Sequence, residues 1–336
     1  MRFVRICGFM VLAVLLSACV RRPLEEMEDH VFLKVVLKVK GINNVTANIY
    51  NDKIPVPDIS SGMVRALLYT PDGDRLLNQS FISGTGVTED GEPYVSGYIK
   101  VLPGEYKMLC YNFDTETTQI SGEGSYDGIM AFTPRVSDHL ASRFEETRGS
   151  FEEIRYEPNH LFVAREENLR IAPSNSLVTI ETEAETIVDT YYLQIYVEGG
   201  QNAASASAIL TGLSASNLMG PNMRDRESAT AVYFDLMPSE DNGKKVLCTL
   251  FSTFGKIEGE TSNLDVTFDV LTRDGQKYQQ TFNLDEVFRT EDAKERHWLL
   301  INDTLDIPDP ITPPGGNGGF KPEVNDWDEE QNDVEI

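Results

Sequence analysis

Tyr94-Val95-Ser96-Gly97-Tyr98-Ile99-Lys100-Val101-Leu102, then Pro103-Gly104, then Glu105-Tyr106-Lys107-Met108-Leu109-Cys110-Tyr111-Asn112-Phe113, is the stretch on which the fold turns. Two β-prone runs meet at a Pro-Gly step. Proline fixes φ at about −65° and glycine accepts backbone angles closed to other residues, so the pair reverses a chain. The stretch reads as a hairpin.

The same grammar extends in both directions. In Leu33-Lys34-Val35-Val36-Leu37-Lys38-Val39-Lys40 every odd position is apolar and three of the four even ones are lysine, the period of a strand with one buried face. Val64 to Tyr69 runs into Thr70-Pro71-Asp72-Gly73-Asp74, a turn, and Ser83-Gly84-Thr85-Gly86 reads as another. Further on, Tyr191 to Val197 stops at Gly199-Gly200, and Pro238 to Gly243 separates Ala231–Leu236 from Lys245–Phe251. Leu264 to Leu271 turns at Arg273-Asp274-Gly275 into Gln276 to Phe282. Helical signals are few: Ser137 to Phe144 offers a turn or two, and Asn283 could cap a helix whose first turn holds Asp285 and Glu286. Residues 143–170 show no clean period and read as a long excursion between domains. The expectation is an all-β chain of two sandwiches in tandem, 31–172 and 173–305.

The first residues describe export. Arg2 and Arg5 precede an apolar run from Ile6 to Leu16 that is too short to span a bilayer, and Leu16-Ser17-Ala18-Cys19 has the pattern of a bacterial lipobox. Residues 1–18 are then a signal peptide, Cys19 becomes the acylated N-terminus, palmitate being one such chain, and 19–30 form a tether. Buried acyl chains would hold the protein to a membrane without a transmembrane helix.

The 336-residue chain has a formal net charge of −25; cleavage before Cys19 removes two arginines and no acid, making it −27. A surface so acidic repels nucleic acid. Besides Cys19, the mature chain keeps Cys110 and Cys248. Each lies in an apolar strand-like run, and two buried free thiols fit better than a disulfide between the halves.

The other end changes character at residue 306. Pro308, Pro310, Pro313 and Pro314 and then Gly315, Gly316, Gly318 and Gly319 make 306–319 a linker. Residues 320–336 set Phe320, Val324, Trp327, Val334 and Ile336 among acids, the composition of a terminal strand able to pair with a sheet edge in cis or in trans. Asp326-x-Asp328-x-Glu330 lacks the glycine and the distal acid of a calcium loop and reads as a solvated acidic edge.

No chemistry announces itself. His30, His139, His160 and His297 are scattered, with no i, i+4 pair, and neither a nucleophile elbow nor a phosphate-binding loop is present. No catalytic residue, metal ligand or cofactor is nominated, and the expectation is a protein that is not an enzyme.

The segment Leu102-Pro103-Gly104-Glu105-Tyr106, leading to Tyr111-Asn112-Phe113-Asp114-Thr115-Glu116, resembles a signature of Bacteroidales lipoproteins related to minor, anchor-type fimbrial subunits. Gly199-Gly200-Gln201-Asn202 and Ile209-Leu210-Thr211-Gly212-Leu213 match second-domain positions of the same family. The resemblance implies transthyretin-like sandwiches of the fimbrillin superfamily, lipid anchoring in the outer membrane with exposure at the cell surface, and fimbrial subunits or other surface proteins as partners. Glu25, Glu26, Glu28 and Asp29 resemble a surface-export signal. Two other roles suit such a chain: a surface lipoprotein that binds glycan or a host ligand through exposed aromatics, and a tip adhesin.

Overall fold

The computed structural model describes residues 30–39, 62–113, 115–144, 152–257 and 263–309. The expected signal peptide, Cys19, most of the expected tether, the body of the expected linker and the Trp327 tail lie outside them.

Period-two alternation builds the first strand. In β1 (Val31–Lys38), Val31, Leu33, Val35 and Leu37 are buried while Phe32 is exposed on the other face. There follow β2 (Val64–Tyr69), β3 (Leu76–Ile82), β4 (Gly84–Val87), β5 (Pro93–Val101), β6 (Gly104–Asn112), β7 (Gln119–Ser121), β8 (Met130–Phe132), α1 (Asp138–Ala141), β9 (Glu153–Tyr156), β10 (Phe162–Ile171), β11 (Val178–Glu183) and β12 (Glu185–Thr186). The remainder comprises β13 (Asp189–Glu198), β14 (Ala203–Ser214), β15 (Ser216–Leu218), β16 (Met223–Arg224), β17 (Ala229–Asp241), β18 (Lys244–Thr253), β19 (Asp265–Thr272), β20 (Lys277–Asn283), α2 (Glu291–Arg296) and β21 (Trp298–Asp306). The all-β expectation holds.

One sheet runs β11-β1-β5-β4 and a second β12-β10-β6-β2-β3. They enclose a core that includes Leu33, Val35, Ile99, Leu68, Met108 and Phe162. In the second half β17 belongs to two layers. Up to Leu236 it pairs with β14, which leads on to β19 and β20; from Met237 onward it pairs with β18, which leads to β13 and the outermost β21. Leu193, Phe234, Phe251 and Phe268 fill the space between.

The opening stretch is two strands but not a hairpin. β5 lies in the first sheet and β6 in the second, so Leu102-Pro103 carries the chain across the sandwich as an arch. Val95, Ile99 and Val101 meet Tyr106, Met108 and Cys110 within one core, and Tyr106 Oη donates to the Leu102 carbonyl at 2.8 Å, closing the arch. Hairpin pairing would have placed both buried faces on one side of a single sheet.

Other expectations need correction. Ser83-Gly84-Thr85-Gly86 is not simply a turn: β4 begins at Gly84 as an edge strand on β5. Pro238 does not end its strand, because there β17 has left β14 and pairs only with β18, a setting that tolerates a missing N–H. The turn shrinks to Asn242-Gly243, both at positive φ. Within 143–170, β9 and β10 are strands, and β10 lies inside the second sheet; a register shift between Glu166 and Leu169 hides its alternation. Asn283 ends β20 instead of capping a helix; the helix is α2, capped by Thr290, whose Oγ1 accepts the Ala293 N–H. The Ser137–Phe144 expectation holds, with Ser137 as the cap of α1. Residues 306–309, expected to begin the linker, stay attached: Asp306 ends β21, Ile307 is buried and its N–H donates to the Glu198 carbonyl.

The change of sheet does not coincide with Pro173. β9, before it, pairs in parallel with β17, whereas β11, after it, pairs in parallel with β1. The small sheet β16-β15-β8-β7 joins the halves directly, with Ala131 opposite Asn217.

Candidate functional site

Leu16, Ser17, Ala18 and Cys19, and Phe320, Val324, Trp327, Val334 and Ile336, lie outside the described residues. What the structure gives is the frame from which each group departs. β1, the first described strand, is paired on both sides, whereas β21, which precedes the tail, pairs among the described residues with β13 only. Asn202 secures the exit, its side-chain amide donating to the Pro308 carbonyl at 3.2 Å.

A strand added from outside needs a free edge. Among the described residues the two sheets of the first sandwich end in β4 and β11 and in β3 and β12, and β3 and β4 follow one another in the chain. Gly97 of β5 permits the passage between them. A Cβ there would lie 2.4 Å from Ile82 Cγ2, so only glycine lets the end of β3 cross so close to β5. Leu77, Phe81 and Val87 are exposed along this double edge.

An aromatic cluster stands beside it. The Arg65 guanidinium lies 5.1 Å from the Phe81 ring centre and 5.3 Å from that of Phe113, and the two rings are 5.2 Å apart. Glu123 holds the arginine in place, accepting from Arg65 Nη2 at 2.7 Å and also from the Tyr111 hydroxyl. Burial, reinforced by that carboxylate, pushes the tyrosine hydroxyl well above its ordinary range. The group is a flat cationic-aromatic surface, about half exposed at Phe81 and Phe113. Sequence reasoning missed it because β2, β3, β6 and the loop carrying Glu123 come together only in the fold. The one local sign was Arg65 within an otherwise apolar Val64–Tyr69.

The joint between the halves combines an apolar core with partly buried polar groups. Leu67, Tyr111, Tyr126 and Val163 of the first half share a core with Met219 and Phe254 of the second. Arg165 Nε donates to the Met219 carbonyl at 2.6 Å. Glu157 receives the Ser252 N–H at 2.9 Å; burial pushes its carboxyl up to about 7, and the Asp235 charge adds to the effect against that hydrogen bond. Asn159 Oδ1 accepts from the N–H groups of Glu116, Thr117 and Thr118, locking the same segment to the first half.

A cavity of about 460 Å³ is lined by Glu152, Glu153, Arg155 and Glu227 among others. Two of its carboxylates are engaged: Glu153 pairs with Arg135 and Arg155, and Glu152 accepts the Gly212 N–H. Among the described residues no group of three His, Cys, Asp or Glu side chains could hold a metal ion. Burial lowers His160 to about 4, a neutral histidine. Cys110 and Cys248 are buried, lie in different core clusters and are not joined in a disulfide, and burial pushes the Cys110 thiol up to about 12. Trp298, half-buried between His297 and Leu299, packs on Tyr192 and Cys248.

Among known proteins, the chain is 25% identical over 354 residues to "Putative fimbrium anchoring subunit Fim4B" of Bacteroides ovatus, with 97% of this chain and 96% of that one aligned. The solved structure of a "putative adhesin" from Bacteroides ovatus matches with a TM-score of 0.57 at 20% identity, over 88% of this chain and 98% of that one, a shared fold. The fimbrial anchor protein Mfa2 from Porphyromonas gingivalis aligns over 81% of this chain and 88% of its own, at 10% identity and a TM-score of 0.47. The similarity to the anchoring subunit, along nearly the whole of both chains, agrees with the family resemblance carried by Leu102–Tyr106 and the residues after it. A family model, Domain of unknown function (DUF5119), matches residues 40–235, more than half of the chain, and the protein belongs to that family.

Proposed function

We propose that this protein is an anchor or accessory subunit of a cell-surface fimbria, held in the outer membrane by lipid on Cys19 and joined to partner subunits by β-strand addition. The observation that carries the proposal is similarity to a fimbrium anchoring subunit along nearly the whole of both chains. Three features support the finer points: the lipobox-like Leu16–Cys19, the sheet edges β3 and β4 among the described residues, and a terminal segment with apolar anchors set among acids behind a Pro/Gly-rich stretch. In this role the tail Phe320–Ile336 supplies main-chain hydrogen bonds and the anchors Phe320, Val324, Trp327, Val334 and Ile336 fill pockets, in cis or in trans. Nothing in it calls for catalysis or a cofactor.

Membrane fractionation tests the first half of the proposal. Cys19→Ala should release the protein from the outer membrane, and unchanged membrane association would overturn lipid anchoring. Deleting 320–336 should stop incorporation into, or retention of, the polymer without stopping secretion; normal assembly would remove that role from the tail. A second role, recognition of glycan or host ligand by a receptor or tip adhesin, draws on the exposed Phe81–Arg65–Phe113 surface. Selective binding on a glycan array, lost in Phe81→Ala/Phe113→Ala, would favour it; co-purification with fimbrial subunits favours the anchor.

A further inference from the structure

We propose that the outer face of the first sheet rests on the outer-membrane surface and so sets the orientation of the anchored protein, an inference that depends on the lipidation of Cys19 proposed above. The face is built by β1, β5 and β11. Since Leu33 and Val35 point into the core, Phe32, Lys34 and Lys38 point outward, and pairing puts Lys100 opposite Phe32, Tyr98 opposite Lys34 and Thr179 beside Lys34. Phe32 is 58% exposed, Tyr98 63% and Leu177 49%. Together with His30 and Ser174 to Ser176, these three line a shallow depression of about 530 Å³, and no carboxylate is among its lining residues.

Three observations select a membrane as the occupant. The first is chain length: His30, at the rim of the depression, is eleven residues from Cys19, and eleven residues reach at most about 40 Å when fully extended. The patch therefore cannot lie far from the acyl chains. The second is charge. The chain as a whole, at −25, is repelled by anionic headgroups, whereas this face sets Lys34, Lys38 and Lys100 against Glu181, which lies 2.8 Å from Lys38 Nζ, and Glu183, which is paired opposite Lys38, so three positive charges meet two negative ones. The third is side-chain type: aromatic rings and a leucine beside lysines are the set that settles at the headgroup boundary, where rings lie among acyl ends and ammonium groups meet phosphate. Both neighbours of β1 are already in place, so the face offers side chains to a flat surface, not main-chain groups to a strand.

Thiol labelling tests this on the full-length lipidated protein. Cys110 and Cys248 are buried and Cys19 is acylated, so an introduced cysteine is the reactive one. Thr179→Cys reports the proposed face without touching the aromatic patch, and Lys277→Cys on β20 serves as the control. Each is reacted with a bulky impermeant maleimide on vesicles of phosphatidylethanolamine and phosphatidylglycerol, and again as the Cys19→Ala chain free in buffer. The expected result is labelling of Thr179→Cys several-fold slower on vesicles than in buffer, with Lys277→Cys unchanged. Adding Phe32→Ser, Tyr98→Ser and Lys34→Glu should restore the fast rate while the protein still floats with the vesicles. Equal rates at position 179 in a floating protein overturn the orientation and leave the anchor intact; failure to float overturns the anchor, and the orientation with it. Slow labelling that appears only on whole cells, and not on pure lipid, assigns the face to a protein partner and overturns the proposal.

Discussion

A carboxylic acid that folding pushes up to about 7 works against the fold at neutral pH. In the unfolded chain Glu157 has the ordinary carboxyl value of about 4.5, so between roughly pH 4.5 and 7 the folded state holds a proton that the unfolded chain has released. Its contribution is therefore most favourable below about 4.5, is lost as pH rises through 7, and is flat above. A shift of this size is worth about 1–3 kcal/mol, with part of the side chain still reaching water. Glu157→Gln keeps an acceptor for the Ser252 N–H and carries no charge. It should raise the midpoint of unfolding at pH 8 and leave it nearly unchanged at pH 4.5. Chemical denaturation at the two pH values checks this; an equal effect at both would mean that the carboxyl is not held protonated.

At the scale of elements, the arch from β5 to β6 and the crossing from β3 to β4 give the first sandwich its two layers. Gly97→Val would drive a branched side chain into Ile82 at the crossing, and overpacking of this kind costs about 1–3 kcal/mol. The expected result is a lower Tm with β4 detached first, seen as loss of amide protection at Gly86 and Thr88, whose N–H groups face β5; retained protection would contradict the crossing. In the second half, Thr290→Ala removes the cap of α2 and should cost about 1 kcal/mol. Thermal melts of that variant beside Thr290→Ser separate the hydroxyl from the methyl group. Alternation alone made most strands legible: Leu33 to Lys40, Val64 to Tyr69 and Tyr191 to Val197 each became a strand within a residue or two of the expected bounds. What stayed hidden depends on distant partners. A Pro-Gly step says that the chain reverses, not whether the second run joins the same sheet, and Tyr106 reaching back to Leu102 is what distinguishes the arch. β10 was obscured because the bulge at Glu166–Leu169 changes the phase of its alternation. The Arg65 cluster was obscured because four separate segments supply it.

For the molecule as a whole, the joint matters most. Phe254 belongs to the second half by sequence, yet it packs in a core with Leu67, Tyr111 and Val163 of the first. Phe254→Ala should cost about 3–5 kcal/mol and lower the stability of both halves together. The two buried thiols provide separate reporters: Cys110 lies in the first half and Cys248 in the second. In increasing urea both should become reactive at one midpoint, and both should move in the variant. Two midpoints, only one of them moved, would show that the joint does not couple the halves.

The last described strand has a mechanical consequence. β21 runs parallel to β13, with pairs from Tyr192–Trp298 to Glu198–Asp306, and the chain leaves at Asp306, the end where β13 also finishes. A pull on the exit directed along the strand loads all of these hydrogen bonds together in shear, whereas a hairpin strand pulled from its open end would unzip one pair at a time. The clip at Ile307 and Asn202 bears the first load. Such an exit resists tension best when the force follows the strand axis, and it yields when the tail is drawn sideways.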